Sequence, residues 1–101
     1  MSAVNISKEN FREEVLNAKN TVLLDFWAPW CGPCRSLLPI VEEIAKERSD
    51  ILVAKVNVED HPELARQYRV MSIPTLMVMK NGEISHRSVG EKSKSEILEL
   101  L

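Results

Sequence analysis

Two cysteines stand two residues apart in Trp30-Cys31-Gly32-Pro33-Cys34, and the chain has no others. Thiols at this spacing can supply half of a metal site, a permanent cross-link or a reversible dithiol. Zinc requires four ligands, and the remaining soft candidates, His61 and His86, are too far apart for the usual His-x₃₋₅-His pattern. A permanent disulfide closing so short a loop would constrain the unfolded chain little, and a reducing compartment would break it. The reversible dithiol makes use of the spacing. If Cys31 opens a helix, Cys34 lies one turn further in, and the two alpha carbons fall within disulfide reach. Helix-start N–H groups and the macrodipole favour negative charge on Cys31, so it is expected to be a thiolate more often than an ordinary cysteine. Cys34 points back into the fold. Cys31 is then the attacking sulfur and Cys34 the resolving one.

Asp25 is the next residue that could do chemistry. It interrupts the apolar run Val22-Leu23-Leu24-Asp25-Phe26-Trp27. A carboxylate at the solvated edge of a strand is the ordinary alternative, but the flanking residues predict burial, where desolvation raises a carboxyl pKa. Such a group can accept a thiol proton near neutral pH. Lys55 lies in the run ILVAKVNV, where a long side chain can simply snorkel its amine to water. Arg35 reads as a solvated positive charge that modestly favours thiolates.

The elements that must position these residues follow from periodicity. Ser7 is predicted to cap a helix with Glu9 in its first turn and Phe11, Val15, Leu16 and Ala18 at helical spacing. Thr21 to Trp27 reads as a strand buried on both faces. Leu37, Leu38, Val41, Ile44 and Ala45 recur with helical period after the cysteines, in a helix that Pro39 should kink. Ile51 to Val58 is a further strand, and Pro62 suits the first turn of a short helix through Tyr68. Thr75 to Lys80 and Glu83 to Val89 flank Asn81-Gly82, a tight-hairpin pair. Ser93 with Glu96 is a capping box opening a last helix that carries Ile97, Leu98 and Leu101. With a weak first strand near Ala3 to Ile6, the order is βαβαβαββα: an α/β fold with a central mixed sheet flanked by helices on both faces.

The totals agree with one small domain over residues 1–101, able to bury a core without staples or a structural metal. Hydrophobic residues make up 45% and charged residues 28%, and the formal net charge of −2 makes neither nucleic acid nor an anionic membrane an obvious partner. No apolar run reaches the length of a membrane span, and Met1-Ser2-Ala3 leads straight into folded-looking sequence. The chain reads as cytoplasmic, although a processed chain that had lost a targeting segment would read the same way.

Phe26-Trp27-Ala28-Pro29-Trp30-Cys31-Gly32-Pro33-Cys34, then Pro39, Ile73-Pro74-Thr75 and Lys80-Asn81-Gly82, resemble the thioredoxin family over essentially the whole chain and in the family's element order. The resemblance implies a protein-disulfide reductase, a monomer acting in cell redox homeostasis and electron transport. It implies no bound cofactor, with a thioredoxin reductase and disulfide-containing client proteins as partners. It matches Asp25 to a buried aspartate that helps deprotonate the second cysteine, and Lys55 to a lysine that tunes that aspartate. It also implies a cis Ile73–Pro74 bond facing the cysteines. An arbitrary X–Pro bond is cis only about 5% of the time, so that expectation comes from the resemblance. The open backbone of Ile73 could then pair with an extended client segment.

Trp30, Gly32, Pro33, Val58, Ile73, Pro74, Val89 and Gly90 would line a shallow docking surface beside Cys31, although Val58 reads rather as ordinary core and Trp27 as packing. Glu91 departs from the small residue often found after the Val-Gly pair, which bears on partner preference. Met79 replaces a commoner aromatic and reads as core plasticity. Two rival readings stand beside this one. An oxidase or isomerase on the same fold often carries histidine between its cysteines, where this chain has Pro33. A binding module recruited into a larger assembly would carry its redox pair incidentally.

Overall fold

The computed structural model describes residues 2–101; Met1, where the expected domain begins, lies outside the described residues. Five strands form one sheet: β1 (Val4–Ile6), β2 (Thr21–Trp27), β3 (Ile51–Asn57), β4 (Thr75–Lys80) and β5 (Glu83–Val89), in the order β1-β3-β2-β4-β5. The β1–β3 and β3–β2 pairs are parallel, whereas β2–β4 and β4–β5 are antiparallel. The sheet is therefore mixed, as the element order predicts.

Alternation along β2 divides the core. Val22, Leu24 and Phe26 face one side with Phe11, Val15, Leu64 and Met77, while Leu23 faces the other with Leu37, Val41, Ile44, Leu76 and Ile97. The helices α1 (Gly32–Glu47) and α3 (Lys94–Leu100) cover the second side, and α2 (Pro62–Gln67) covers the first with a helical turn at Arg12–Leu16. Fully burying side chains such as Leu23 or Phe26 contributes about 1.5–3 kcal/mol each, and β2, buried along its middle, is the sheet's centre. Met79 belongs to this core.

Local chemistry explains most boundaries. Ser93 and Glu96 form the reciprocal capping box of α3. Asn81 and Gly82 take φ of 54° and 78°, the positive values a two-residue hairpin requires. The helix α1 runs through Pro39, which is exposed.

The first helix differs from the expectation. Its start lies at Phe11, not at a capped Ser7, and Arg12–Leu16 has π geometry, with the Asn17 N–H reaching back five residues to the Arg12 carbonyl at 2.9 Å. In the turn before it, Asn10 Oδ1 accepts the Ser7 N–H at 2.7 Å, and Asn10 Nδ2 donates to the Asn5 carbonyl at 3.1 Å. Glu13 and Glu14, rather than Glu9, occupy the first turn of the helix.

Candidate functional site: a cysteine pair at a helix start

The strand β2 ends at Trp27, and the chain turns through Ala28, Pro29 and Trp30 before α1 begins. Arg35, on the first turn of α1, donates from Nη1 to the Pro29 carbonyl at 2.9 Å and ties this turn to the helix. Cys31 is the N-cap of α1, with extended backbone, and Pro33 occupies the first turn, where its missing N–H costs nothing. Cys31 and Cys34 are joined in a disulfide with their alpha carbons 5.2 Å apart.

The two sulfurs are unequal. The Cys34 N–H donates to Cys31 Sγ at 3.3 Å, so Cys31 takes the place of an N-cap oxygen. That contact and the macrodipole both favour negative charge on this sulfur once the disulfide is opened. Cys31 Sγ also lies 3.8 Å from the Ile73 carbonyl oxygen. Cys31 retains 6% of its surface and Cys34 none. Ala28, Trp27, Val58 and Ile73 pack around the pair.

Asp25 is completely buried, and neither carboxylate oxygen has a hydrogen-bond partner among the described residues. It shares the α1 face of β2 with Leu23 and stands two residues before Trp27, which packs on the cysteines. Burial pushes its pKa from the ordinary 3.8 to about 7, and the Lys55 charge acts against that rise. Lys55 is its register partner on β3, is half-buried, and lines a depression of about 330 Å³ with Trp27, Asn57, Asp60 and His61.

A second surface feature adjoins the sulfurs. Trp30, 67% exposed, forms one wall of a cavity of about 360 Å³, and Val58, Ile73, Ala65, Val70, Met71 and Ser72 form the rest. The Ile73–Pro74 bond is cis, as the resemblance implies. Pro74 is buried, its carbonyl accepts the Gly90 N–H at 2.8 Å, and the Thr75 hydroxyl donates to the Ser72 carbonyl at 2.6 Å. Val89 pairs with Thr75 and stays exposed. Gly90 has φ of 95°, open to glycine and poorly accessible to other residues, which lets the chain turn away beside Pro74.

Gly32 and Pro33 lie between the cysteines and Ile73 packs on them; Pro74 follows Ile73, Gly90 bonds to the Pro74 carbonyl and Val89 pairs with Thr75, while Trp30 precedes Cys31. Val58 is half-buried and serves both core and cavity. Met71, 92% exposed, together with Val70 and Ala65, escaped the reading from sequence. The available signal was Met71-Ser72 immediately before Ile73-Pro74; that α2 brings Ala65 to the same cavity is a tertiary fact. Among the described residues no group of three or more His, Cys, Asp or Glu could hold a metal ion.

A family model described as Thioredoxin matches residues 2–101. The chain is 46% identical to a thioredoxin of Buchnera aphidicola (subspecies Acyrthosiphon pisum) over 97% of its length and 92% of the relative's. It is also 46% identical to a thioredoxin of Pyropia yezoensis, covering 100% and 95%, and 45% identical to one of Mycobacterium tuberculosis, covering 96% and 84%.

Proposed function

Because the chain belongs to the thioredoxin family and is thereby a dithiol–disulfide oxidoreductase, we propose that its work is the reduction of disulfides in client proteins through Cys31 and Cys34. The observation that carries this reading is the asymmetry of the pair: one sulfur caps a helix beside an open groove, and the other is sealed beneath it.

In the reduced protein the Cys31 thiolate attacks one sulfur of a client disulfide, and the other client sulfur departs as a thiolate. Cys34 then gives its proton to the Asp25 carboxylate and attacks Cys31 Sγ in the mixed disulfide. The client leaves with two added electrons, and the 31–34 disulfide remains. A pKa near 7 suits Asp25 to this exchange, since it can both take and release a proton at neutral pH. Lys55 modulates that value from β3.

The client's extended segment lies along Trp30, Gly32, Pro33, Ile73, Pro74, Val89 and Gly90, with backbone pairing at Ile73. A thioredoxin reductase drawing on NADPH, ferredoxin or another donor restores the dithiol, which makes the protein a carrier in electron transport and redox homeostasis. No bound cofactor is invoked. We place it in the cytoplasm as a monomeric single domain over residues 1–101; among the described residues no helix is long and apolar enough to cross a membrane.

Pro33 speaks against the oxidase or isomerase alternative, because no cation between the cysteines stabilises the reduced form. A coupled insulin-reduction assay with candidate reductases tests the proposal. Catalytic reduction of insulin, lost when both cysteines are changed to serine, is the expected result; an assembly function surviving that double change would favour a binding module.

A further inference from the structure

The segment Tyr68–Ser72 leaves α2 and becomes the outer wall of the cavity beside the cysteines, where Val70, Met71 and Ser72 line it. Its backbone is strained: Arg69 has φ of 54°, in the left-handed region that a residue with a Cβ avoids. Such a turn persists only where its surroundings hold it. Here the holding group comes from the edge strand β5.

Arg87 is paired with Met77, on the sheet face that α2 covers. Its Nη1 donates to the Arg69 carbonyl at 3.2 Å, and its Nη2 donates to the Tyr68 carbonyl. A planar guanidinium with several rigidly placed donors can serve two successive carbonyls at once; a lysine ammonium lacks that fork. Two residues further along β5 stands Val89, exposed and paired with Thr75. The edge strand thus clamps the wall of the groove from outside it.

We propose that Arg87 is a positioning residue for client docking: by holding the Tyr68 and Arg69 carbonyls it fixes the wall formed by Val70 and Met71, and so sets KM for protein disulfides. The proposal rests on reading the groove as the client-docking surface. Arg87 acts through the backbone of another segment and leaves the sulfur chemistry alone.

The test compares Arg87→Met, which keeps the side-chain stem and removes the donors, with Arg87→Lys, which keeps the charge without the fork. Insulin is the protein disulfide, and 5,5′-dithiobis(2-nitrobenzoic acid) is a disulfide too small to need the wall. A wall in its docking conformation only about a tenth of the time weakens apparent affinity about tenfold. Arg87→Met is therefore expected to raise KM for insulin about tenfold. Its kcat, its potential against glutathione and its rate with the small disulfide should stay within about twofold of the unchanged protein. Arg87→Lys should recover only part of the loss. Amide exchange at Val70, whose N–H donates to the Ala65 carbonyl at 2.8 Å, should quicken in both variants.

Faster exchange with an unchanged KM would overturn the proposal, since the wall would then not govern docking. Unchanged exchange would overturn it as well, and so would an equal loss with both disulfides, which marks general damage. Failure of the unchanged protein to reduce insulin while it still reduces the small disulfide would instead strike at the docking reading beneath the proposal.

Discussion

Replacing Asp25 with asparagine keeps nearly the same volume and removes an ionisable group from the core. Asp25 is fully buried with both oxygens unpartnered, and desolvation raises its pKa from 3.8 to about 7 against the pull of Lys55. Between those two values the folded protein holds a proton that the unfolded chain has already released. The folded state binds more protons there, so the free energy of unfolding falls as pH rises. At about 1.4 kcal/mol per pH unit, the interval comes to about 4 kcal/mol, a large part of the stability of a small domain.

The asparagine variant has no such loss. The two proteins should have their smallest stability difference near pH 4, diverge through pH 5 to 7, and differ by about 4 kcal/mol above pH 8, with the variant the more stable. Urea unfolding of both oxidised proteins across this range is the assay. With a slope of about 2 kcal/mol per molar urea, the midpoints should separate by about 2 M at high pH. Every other titrating group is common to both, so the difference isolates Asp25. Parallel profiles would mean that the carboxyl is solvated, and its part as proton acceptor would lose its physical basis. In the same variant, the first attack by Cys31 should stay largely intact while resolution by Cys34 slows.

Cys34→Ser should accumulate mixed disulfides with client proteins through Cys31, visible on non-reducing gels, whereas Cys31→Ser should trap none; equal capture by both would reverse the assigned roles. Pro33→His should make the pair more oxidising, because an imidazolium at the helix start stabilises the thiolate form. Each rise of about 30 mV against glutathione corresponds to about 1.4 kcal/mol, and a potential that stayed put or fell would remove the case for a reductant. Lys55→Met should raise the Asp25 pKa further, since the lysine charge now lowers it, and so extend the pH-dependent loss of stability to higher pH. An unmoved titration would show that Lys55 keeps its charge in solvent, away from the carboxyl.

The chemistry of this chain is legible in sequence because it is local. Cys31 and Cys34 sit one helical turn apart, and the residues that give them different environments, Gly32 and Pro33, lie between them. Asp25 announces itself by interrupting an apolar strand, and the structure finds it with no exposed surface. The same holds for the Asn81-Gly82 turn and the Ser93–Glu96 box, each settled within four residues. The failures are non-local or depend on a competing side chain. Ser7 had the type of a cap, but its N–H is bound by Asn10 in a turn that precedes the helix, which starts at Phe11. The groove wall depends on Arg87, which meets the Arg69 carbonyl across 18 positions of chain, and no spacing rule joins a strand arginine to a helix-end carbonyl.

The burial of Asp25 also bears on how the helix that carries the cysteines is held. Asp25 stands on the central strand, with β3 and β4 hydrogen-bonded on either side of β2. Cys31 caps α1 and Cys34 lies in its first turn, so the proposed proton transfer from Cys34 to Asp25 depends on where that helix is held. The fold holds α1 along its length. Leu37, Val41 and Ile44 are buried together with Ile97 of α3, and Lys94 at the start of α3 reaches Glu43 and Glu47 at 2.6 and 2.8 Å. These last contacts are exposed and contribute little energy alone. The apolar contacts supply the restraint, and the charges set where along α1 the last helix sits. A helix pinned at its far end holds its first turn, and with it both cysteines, in place for the exchange proposed with Asp25.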